Sequence, residues 1–418
     1  MNHAFSLVQA GGDSAALRLL GPGHAGRMLI TRAGSALTLD PVGTYQLAAA
    51  DTARFTGTPQ RLLVEEARTN GNRNPRGEGN GSPSYWNIPA SLYGLTRTFP
   101  GAGVEDGIPY LDIHYAGTAT AGGSVYLSFE TAGQIAALPG QVWTNSVFAR
   151  ILPGFVGATP PQGRPFLWGL NAANTAVEVL SGNNVSLTGF TSLRSARLAF
   201  TGSLSNTAIT AVHGPFGLFS IASGQTYGFT VRIGLPQLEA GACASSPILP
   251  AAGSTGPSSR AADLPIWAPA GGFGAQGTVV VKAMLPQIAP FGASQGLWQI
   301  DDGTDQNRIQ LRNTSAGSAI TGVVDVAGTT LATLAAGSMS PGTPFRAAFT
   351  WAAGDQALCI GGGTVQAAAV ALPPGLARML VGHGSTLLNR AANGEVELVE
   401  YRPTRVPNTL LQALANAA

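Results

Sequence analysis

The chain has few charged residues, almost no lysine and almost no cysteine. Only 11% of its 418 residues are charged, the formal net charge is +2, and Lys282 is the only lysine. A nucleic-acid partner requires a basic face that neutralises many phosphates, so this composition argues against one. The two cysteines, Cys243 and Cys359, lie far apart in the sequence. A disulfide framework and a CxxC-type metal site are therefore not expected.

Long apolar runs are also missing. No stretch supplies the roughly 20 apolar residues that a membrane-spanning helix needs. The N-terminus does not combine a basic region with an apolar segment, as a secretory leader would. We therefore predict no membrane partner and synthesis in a bacterial cytoplasm, from which release of a particle is a sufficient route out of the cell.

Glycine and proline are abundant instead, with 56 Gly and 28 Pro, while 44% of the residues are hydrophobic. Short apolar runs separated by turn residues are typical of all-β proteins. The hydrophobic fraction is sufficient to fill packed cores. A chain of this length exceeds one ordinary domain. We therefore predict an all-β chain with more than one domain.

The strand pattern predicts two tandem β-sandwiches. In the first, residues 67–250, polar and apolar residues alternate as in strands with one wet face, at 109–115, 124–129, 142–150 and 227–233. Residues 251–262, rich in Ala, Gly, Ser and Pro, predict a linker. The second sandwich, residues 263–418, has strands predicted at 277–283, 297–300, 308–312, 345–351 and 396–401, then a short helix that Asn408 would cap. Regular short strands with turns between them indicate sandwiches or jelly rolls.

Residues 1–66 contain too little apolar material for a free-standing domain. Short strands are predicted at 5–8, 17–20 and 28–31. We interpret this part as a small docking segment that neighbouring chains complete, which would give a trimer or a pentamer. The alternative is an irregular cap on the next domain.

Two groups of short sequences resemble joints of tailed-phage fibre and spike proteins. The first comprises TRAGSA at 31–36, ADTARF at 50–55 and LLVEEARTN at 62–70. The second comprises PQLEAG at 236–241, ASSPILP at 244–250 and SRAAD at 259–263. Neither group is a catalytic motif. The resemblance implies a modular virion protein, a fibre or head-spike subunit of a tailed phage or gene transfer agent.

Each predicted sandwich also resembles a module of those proteins. Asn74-Pro75-Arg76, Trp86 and the strand 107–113 resemble their carbohydrate-binding modules. The second sandwich resembles the concanavalin-like, laminin-G-like domains at fibre tips. The resemblance implies a place on the virion surface and two kinds of partner. These are a cell-surface polysaccharide and other virion proteins at a capsid vertex or at the base of a tail or spike.

Four aromatic residues are candidates for sugar binding. Sugar recognition uses flat aromatic faces for the apolar side of a pyranose and polar side chains for its hydroxyls. Tyr85, Trp86, Tyr93 and Trp168 lie among Gly, Pro and Asn residues and are predicted to line such a platform. The alternative is that they plug the ends of the sandwich.

One loop offers a weak candidate for a metal site. Asp301, Asp302 and Asp305 form a dense group of carboxylates, and concanavalin-like folds often hold calcium at rim loops. The spacing is not that of an EF-hand, and Asp-Gly-Thr is also an ordinary turn. No other cofactor is predicted.

No catalytic motif is present in the sequence. There is no HExxH zinc motif and no GxSxG elbow. A glycosidase needs two carboxylates that face one bond. Such carboxylates are available in any chain of this size, here at Glu105, Asp106, Asp112, Glu130 and Glu178. We predict a non-enzymatic polysaccharide-binding protein. A capsule-degrading tailspike and a structural adaptor that carries another receptor-binding protein remain alternatives.

Overall fold

The computed structural model describes residues 15–18, 28–57, 59–79, 81, 83–269, 272–290, 293–315 and 317–416, with only the backbone of residues 15–18, 219 and 220. The described part is nearly all β, as predicted. It divides into two compact units. The first sandwich consists of residues 43–46 and 68–260, and the second of the described residues of 15–42, 47–67 and 261–416.

The N-terminal strands belong to the second sandwich, except for the first two residues of β4, which belong to the first. In the described part of residues 1–66 the strands are β1 (Ala15–Arg18), β2 (Leu29–Thr31), β3 (Ala36–Leu39), β4 (Tyr45–Ala48), β5 (Arg54–Thr56) and β6 (Arg61–Val64). Strands β1 and β6 pair with the strand Gly394–Arg402, and β2 pairs with Leu264–Trp267. The prediction of a separate segment over 1–66 is corrected here, because strands of the same chain satisfy these strand edges. The strand predicted at 5–8 lies outside the described residues.

The first sandwich consists of antiparallel strands. They are β7 (Arg68–Asn70), β8 (Ser91–Leu92), β9 (Leu95–Glu105), β10 (Ile108–Thr118), β11 (Gly123–Leu127), β12 (Ile135–Ala136), β13 (Val142–Ile151), β14 (Gln162–Leu170), β15 (Ala176–Ser181), β16 (Val185–Ser186), β17 (Arg197–Ser203), β18 (Ala211–His213), β19 (Phe216–Ile221), β20 (Thr226–Ala240) and β21 (Ser258–Arg260), with a 3₁₀ turn at Leu193–Ser195. One sheet has the order β17-β13-β20-β10-β9-β8. The other has the order β11-β19-β14-β18-β12, and β15 and β16 also pair with β14.

Alternation along β20 shows how the sequence builds this core. Tyr227, Phe229, Val231 and Ile233 are all buried in one hydrophobic cluster. Successive side chains of a strand point to opposite faces, so the residues between them face away from that core. Full burial of such side chains contributes about 1.5–3 kcal/mol each relative to exposure. The alternating pattern in the sequence therefore predicted this strand correctly.

The second sandwich continues after residue 261. Its further elements are β22 (Leu264–Trp267), β23 (Gly277–Met284), β24 (Ser294–Asp301), β25 (Arg308–Thr314), β26 (Ala319–Val326), β27 (Thr329–Ser338), β28 (Phe345–Ala352), β29 (Asp355–Ile360), β30 (Gln366–Ala368), β31 (Arg378–Val381), β32 (Gly394–Arg402) and α1 (Asn408–Asn416). One sheet has the order β30-β29-β28-β23-β32-β6-β5, with β1 beside β32. The other has the order β2-β22-β31-β24-β25-β26-β27.

The apolar run in β23 packs on both of its faces. Val279 and Val281 lie in the core between the sheets. Val280 points to the opposite face and packs in a smaller cluster with Leu411 and Ala415 of α1. This second contact explains why the run is continuous rather than alternating. The predicted C-terminal helix is confirmed, and among the described residues no helix is long and apolar enough to span a bilayer.

The segment predicted as a linker ends in a paired strand. Ser258–Arg260 pairs with Arg68–Asn70 in a two-stranded sheet of the first sandwich. Arg260 is buried and its Nη1 donates to Ser246 Oγ at 2.8 Å. The compact unit therefore extends to residue 260, beyond the predicted end at 250, because backbone pairing fixes this stretch.

The PQLEAG and ASSPILP sequences form an internal anchor. Glu239 is fully buried and accepts hydrogen bonds from the Ser245 N–H at 2.9 Å and the Ser245 hydroxyl at 2.6 Å. Gln237 Oε1 accepts a hydrogen bond from the Ile248 N–H at 2.8 Å. These side chains hold the loop after β20 against the end of that strand. Their role in the described structure is to fix this loop.

The other motif residues meet in a buried ion cluster, formed by Arg32, Arg54, Glu65 and Asp263 of the second sandwich. Arg32 Nη1 donates to Asp263 Oδ1 at 3.0 Å, and Arg54 Nη2 donates to Glu65 Oε2 at 2.7 Å. Arg54 Nε donates to Asp263 Oδ1 at 3.0 Å. All four residues are buried. Their charges are therefore balanced inside the fold, as buried charges must be.

Candidate binding cleft in the first sandwich

A cleft of about 430 Å³ opens in the first sandwich, and three of the four predicted aromatic residues line it. We call it the aromatic cleft. It is bordered by Tyr85 and Trp86 from the loop before β8 and by Trp168 from β14. The volume lies within the range of small-ligand sites. The sheet thus brings together side chains that lie more than 80 residues apart in the sequence.

Trp168 is positioned by its neighbours on the sheet. It lies directly opposite His213 in the pairing of β14 with β18. Its ring makes an edge contact with Tyr126, at 5.2 Å between centroids. Its indole Nε1 is shielded from solvent and has no hydrogen-bond partner among the described residues. An unpaired donor of this kind is costly in a folded protein.

Trp86 is half-buried and held on two sides. Its Nε1 donates to the Asn74 carbonyl at 2.9 Å, so this donor is occupied. Its ring contacts Phe129 edge to face, at 4.9 Å between centroids. Gly77 lies against the ring, where an added Cβ would come within 3.0 Å of it. Trp86 thus offers the cleft part of its ring surface and no hydrogen bond.

Tyr85 adopts a left-handed backbone, with φ of 70°, which is uncommon for a residue with a side chain. The guanidinium of Arg73 stacks on its ring, 3.8 Å from the centroid. Such backbone strain is often found at ligand sites. Here the stacked arginine fixes the ring at the edge of the cleft.

Glu130 is the carboxylate of the cleft, and it is fully engaged. Arg73 donates to it from Nε at 3.0 Å and from Nη2 at 2.5 Å, and the Thr131 N–H donates at 2.7 Å. The hydrogen bond to Glu130 raises the pKa of Arg73. Charge and hydrogen-bonding capacity are therefore largely matched within this pair. A general acid donates a proton to the leaving group, and a carboxylate paired with an arginine in this way does not fit that role.

His213 forms part of the cleft wall and is buried. Burial lowers the pKa of His213 to about 4, against the smaller raising effect of Glu130. The imidazole is therefore neutral at neutral pH, and one ring nitrogen, Nε2, lies 3.1 Å from Ser128 Oγ. A neutral, hydrogen-bonded histidine supports the wall of the cleft without adding charge.

Several polar side chains at the cleft are uncommitted. The side chains of Asn87, Thr131 and Asn174 line it, and none makes a side-chain hydrogen bond within the described part of the chain. Asn174 has a left-handed backbone, with φ of 57°. Amides and hydroxyls supply both donors and acceptors, which is what the hydroxyls of a sugar require.

The sequence analysis did not single out these polar residues or His213. Asn87 follows Tyr85 and Trp86 directly, so its position in the sequence was a usable signal. Asn174 and His213 carried no such signal, because only the pairing of β14 with its neighbours brings them to Trp168.

Tyr93 lies outside the aromatic cleft. Its hydroxyl donates to the Ser124 carbonyl at 3.3 Å, and its ring packs against the core of the first sandwich. This position corresponds to the alternative that such rings fill the structure. Tyr93 therefore shares a sandwich with the other three aromatic residues without lining their cleft.

Other carboxylates considered for catalysis are held by arginines or backbone groups. Glu105 accepts hydrogen bonds from Arg232 at 2.6 Å and from Arg150 at 3.0 Å, and Asp112 accepts two from Arg232 at 2.8 Å. Burial alone would raise the pKa of Glu105, but these hydrogen bonds leave it lowered. Neither residue lines the aromatic cleft.

Glu178 is likewise engaged, on β15. It accepts hydrogen bonds from the Ser205 hydroxyl at 2.5 Å and from the Ser205 N–H at 2.9 Å. These bonds lower its pKa against the opposing effect of burial. The carboxylate therefore fastens a loop in the described structure.

The three aspartates considered for calcium lie at the end of β24 and in the loop that follows it, where each accepts hydrogen bonds from protein donors. Asp301 Oδ1 accepts from Arg378 Nε at 2.8 Å, and Asp305 Oδ2 accepts from the Ser385 hydroxyl at 2.7 Å. Asp302 Oδ1 accepts from the Thr304 hydroxyl at 2.6 Å. No group of three or more His, Cys, Asp or Glu side chains suited to a metal ion occurs among the described residues. The calcium site stays a prediction without geometric support.

Comparisons with known proteins give no family. No protein-family model matches the chain, and no curated protein matches it. Solved structures give weak likenesses. The CBM40 of a Ruminococcus gnavus IT-sialidase, bound to α2,3-sialyllactose, is 16% identical with a TM-score of 0.29, over 34% of this chain and 83% of that chain.

Two further solved structures are similar at the same low level. A Trypanosoma rangeli sialidase in complex with 2,3-difluorosialic acid is 11% identical with a TM-score of 0.28, over 78% of this chain and 63% of that one. Domains LG4-5 of the mouse laminin α1 chain are 10% identical with a TM-score of 0.26, over 74% and 93%. Because these scores are low, what the chain binds is inferred below from its own residues.

Proposed function

We propose that the chain is a non-catalytic adhesin that binds a cell-surface polysaccharide in the aromatic cleft. One observation carries this proposal. Tyr85, Trp86 and Trp168 meet in a single cleft, together with polar side chains that make no hydrogen bond to any described residue. Rings that only plugged the end of a sandwich would not need to surround an open cavity.

The chemistry of the cleft favours uncharged sugar units. Aromatic faces pack against the C–H groups of a pyranose, and Asn87, Thr131 and Asn174 offer donors and acceptors for its hydroxyls. The positive charge of Arg73 is balanced by Glu130, and His213 is neutral at neutral pH. The cleft therefore offers an acidic sugar little electrostatic attraction. A neutral sugar does not depend on such an attraction.

The resemblance to tailed-phage proteins supports a location of this adhesin on a virion. We propose that it is a fibre or head-spike subunit on the surface of a virion or gene transfer agent. Its partners would be other virion proteins at a capsid vertex or at a tail or spike base. Single sugar sites are usually weak, and a trimer or pentamer repeated over a particle would supply avidity.

The carboxylates support the non-catalytic part of the proposal. Glu130 is the only carboxylate among the described residues that line the cleft, and it is paired with Arg73. Glycoside hydrolysis normally requires two carboxyl groups on either side of one bond. The cleft offers a single engaged carboxylate, which fits binding better than cleavage.

A glycan array with the full chain, followed by calorimetry on the best ligand, tests the binding. Replacement Trp168→Ala removes one face of the cleft and should weaken binding by about 1–2 kcal/mol per site. Tyr93→Ala serves as the matched control, because Tyr93 lies in the same sandwich outside the cleft. We expect it to leave the affinity per folded molecule unchanged.

Three results would overturn parts of this proposal. Equal affinity of the wild type and Trp168→Ala would remove the cleft as the binding site. Failure to bind any bacterial polysaccharide would favour the structural adaptor. A reducing-end assay that shows oligosaccharide release, abolished by a single carboxylate-to-amide change, would favour the capsule-degrading tailspike.

A further inference from the structure

The sheet that contains β24, β25 and β26 carries a row of arginines on its outer face. Along β25, Ile309 and Leu311 point into the core of the second sandwich. Side chains of a strand alternate, so Arg308, Gln310 and Arg312 share the opposite face. Arg308 and Arg312 have very different partners, and this difference identifies the site.

Arg308 is neutralised by its surroundings. Its Nε donates to Asp325 Oδ2 at 2.6 Å, and its Nη1 lies 3.4 Å from Asp305 Oδ1. Arg312 has no ion pair within the described residues. Its Nη1 donates to the amide oxygen of Gln310 at 3.1 Å, and its buried Nε has no hydrogen-bond partner there.

A loop brings a second arginine to the same place. The Arg390 carbonyl accepts hydrogen bonds from the N–H groups of Gly296 and Gly384, both at 3.0 Å. Gly296 is the direct cross-strand partner of Arg312. The loop passes so closely that a Cβ on Gly296 would lie 2.0 Å from the Gly384 nitrogen. Arg390 is therefore fixed beside Arg312 through its own backbone.

Asp305 anchors this loop. It accepts hydrogen bonds from the Ser385 hydroxyl at 2.7 Å and from the Thr386 N–H at 3.0 Å. The residue considered for calcium thus holds the segment that presents Arg390. The position of Arg390 is consequently set by two independent anchors, at Gly296 and at Asp305.

The positive charge at Arg312 and Arg390 is not balanced locally. The side chain of Arg390 makes no hydrogen bond or ion pair with any described residue. Burial lowers the pKa of Arg312, and so do the charges of Arg390 and Arg308, against a weaker opposing effect of Asp325. Asp325 itself is bonded to Arg308 and to the Thr330 hydroxyl. The Arg390 backbone thus lies beside the strand that carries Arg312, close enough for the two charges to interact, and neither arginine forms an ion pair with a described residue.

We propose that Arg312 and Arg390 form a second binding site, which takes an oxyanion carried by an acidic polysaccharide. Guanidinium groups bind carboxylate, sulfate and phosphate by paired, charge-assisted hydrogen bonds. The polysaccharide as ligand rests on the proposed function, but the site is separate from the aromatic cleft in residues and in chemistry. The thinly spread charge of the chain disfavours a nucleic acid as the source of the anion.

The test compares Arg312→Gln/Arg390→Gln with the wild-type full chain by calorimetry at low salt. The probes are a uronate oligosaccharide, a sulfated oligosaccharide, inorganic phosphate and a neutral oligosaccharide. Arg402→Gln is the matched control, because it removes one arginine from the opposite sheet, where Arg402 pairs with Glu400. Melting temperatures confirm that each variant is folded.

We expect the double variant to bind at least one acidic oligosaccharide roughly tenfold more weakly, as loss of a charged hydrogen bond implies. The uronate and sulfate probes identify the oxyanion. Tight binding of inorganic phosphate alone would overturn the polysaccharide as ligand. Replacement Arg390→Lys should weaken binding less than the double variant does and more than no change, since a lysine retains the charge but not the paired hydrogen-bond geometry.

Equal binding of acidic probes by the wild type and the double variant would overturn the proposal, as would an equal loss in Arg402→Gln. Measurements on Trp168→Ala separate failure of the arginine site from failure of the aromatic cleft, on which the proposed function rests. If the cleft binds neutral sugars, that variant loses the neutral probe and retains the acidic one. If only the neutral probe fails in the wild type, the arginine site stands without the cleft.

Discussion

The buried ion cluster and the aromatic cleft both contain several polar groups. They differ in whether those groups have hydrogen-bond partners within the chain. In the cluster, Arg54 is fully buried and donates to both Glu65 and Asp263. In the cleft, the side chains of Asn87 and Asn174 make no hydrogen bond to any described residue. Polar groups that bond to one another stabilise a fold, whereas polar groups without partners around a cavity are available for hydrogen bonds to a ligand.

This difference separates two kinds of information in the sequence. The motifs that resemble phage fibre joints supply the ion cluster and the Glu239 anchor, both of which are structural. Of the cleft residues, only Trp86 belongs to a stretch for which a resemblance was stated, and none belongs to the joint motifs. In this chain the motif residues therefore indicate how the sandwiches are built, and the uncommitted polar groups indicate where a ligand would bind.

The largest effect should follow loss of Arg54. Replacement Arg54→Ala leaves the carboxylates of Glu65 and Asp263 buried without this partner. Breaking a buried pair in this way typically costs about 3–5 kcal/mol. We expect the free energy of unfolding of the second sandwich to fall by that amount, measured by urea denaturation.

Arg402→Gln provides the comparison for this prediction. Arg402 pairs with Glu400 in a partly exposed position, and such pairs contribute about 0–1 kcal/mol. A similar loss of stability in both variants would contradict the structural role assigned to the cluster. Folded Arg54→Ala should retain the affinity of the cleft, since the cleft lies in the other unit.

A smaller effect should appear in the pH dependence of the first sandwich. The pKa of His213 is lowered by burial to about 4 in the folded chain, below the ordinary value of 6.5. The unfolded chain therefore binds the proton more readily. Stability is complete above about pH 6.5 and is lost as the pH falls toward 4, by up to about 3 kcal/mol.

Comparison of the wild type with His213→Gln isolates this contribution, because other groups also titrate in the same window. The variant should lose less stability between pH 7 and pH 4 in denaturant titrations at fixed temperature. Identical pH profiles would show that protonation of His213 does not limit the first sandwich.

The sequence predicted the all-β fold and most strands, and it failed where pairing joins distant residues. The alternation along β20 is a local signal, so the strand was found. The pairing of Leu29–Thr31 with Leu264–Trp267 has no local signal, and the N-terminal strands were consequently assigned to a separate segment. The same reason explains the boundary at residue 260.

The candidate sites follow the same rule. Trp86 and Trp168 were identified by residue type, yet only the folded sheet shows that they share a cleft and that Tyr93 does not. Arg312 and Arg390 gave no signal in the sequence, because arginines are usually paired at the surface. That neither forms an ion pair with a described carboxylate becomes visible only in the folded chain, where the loop lies beside the strand.

The smallest effect should come from Trp168→Phe. The sign of its effect on the unfolding free energy tests the comparison of the cleft with the ion cluster most directly. The change retains an aromatic face and removes the indole N–H that has no partner among the described residues. In the buried ion cluster, removal of a donor can only reduce stability. Here the unfolding free energy should stay constant or rise slightly, since an unsatisfied buried donor disappears. Affinity for the sugar should change by less than about 1 kcal/mol, because the aromatic face remains and the removed N–H is shielded from the cleft. Calorimetry and thermal denaturation on the same preparation measure both quantities. A clear loss of stability would mean that the N–H has a structural role, as the donors of the ion cluster do.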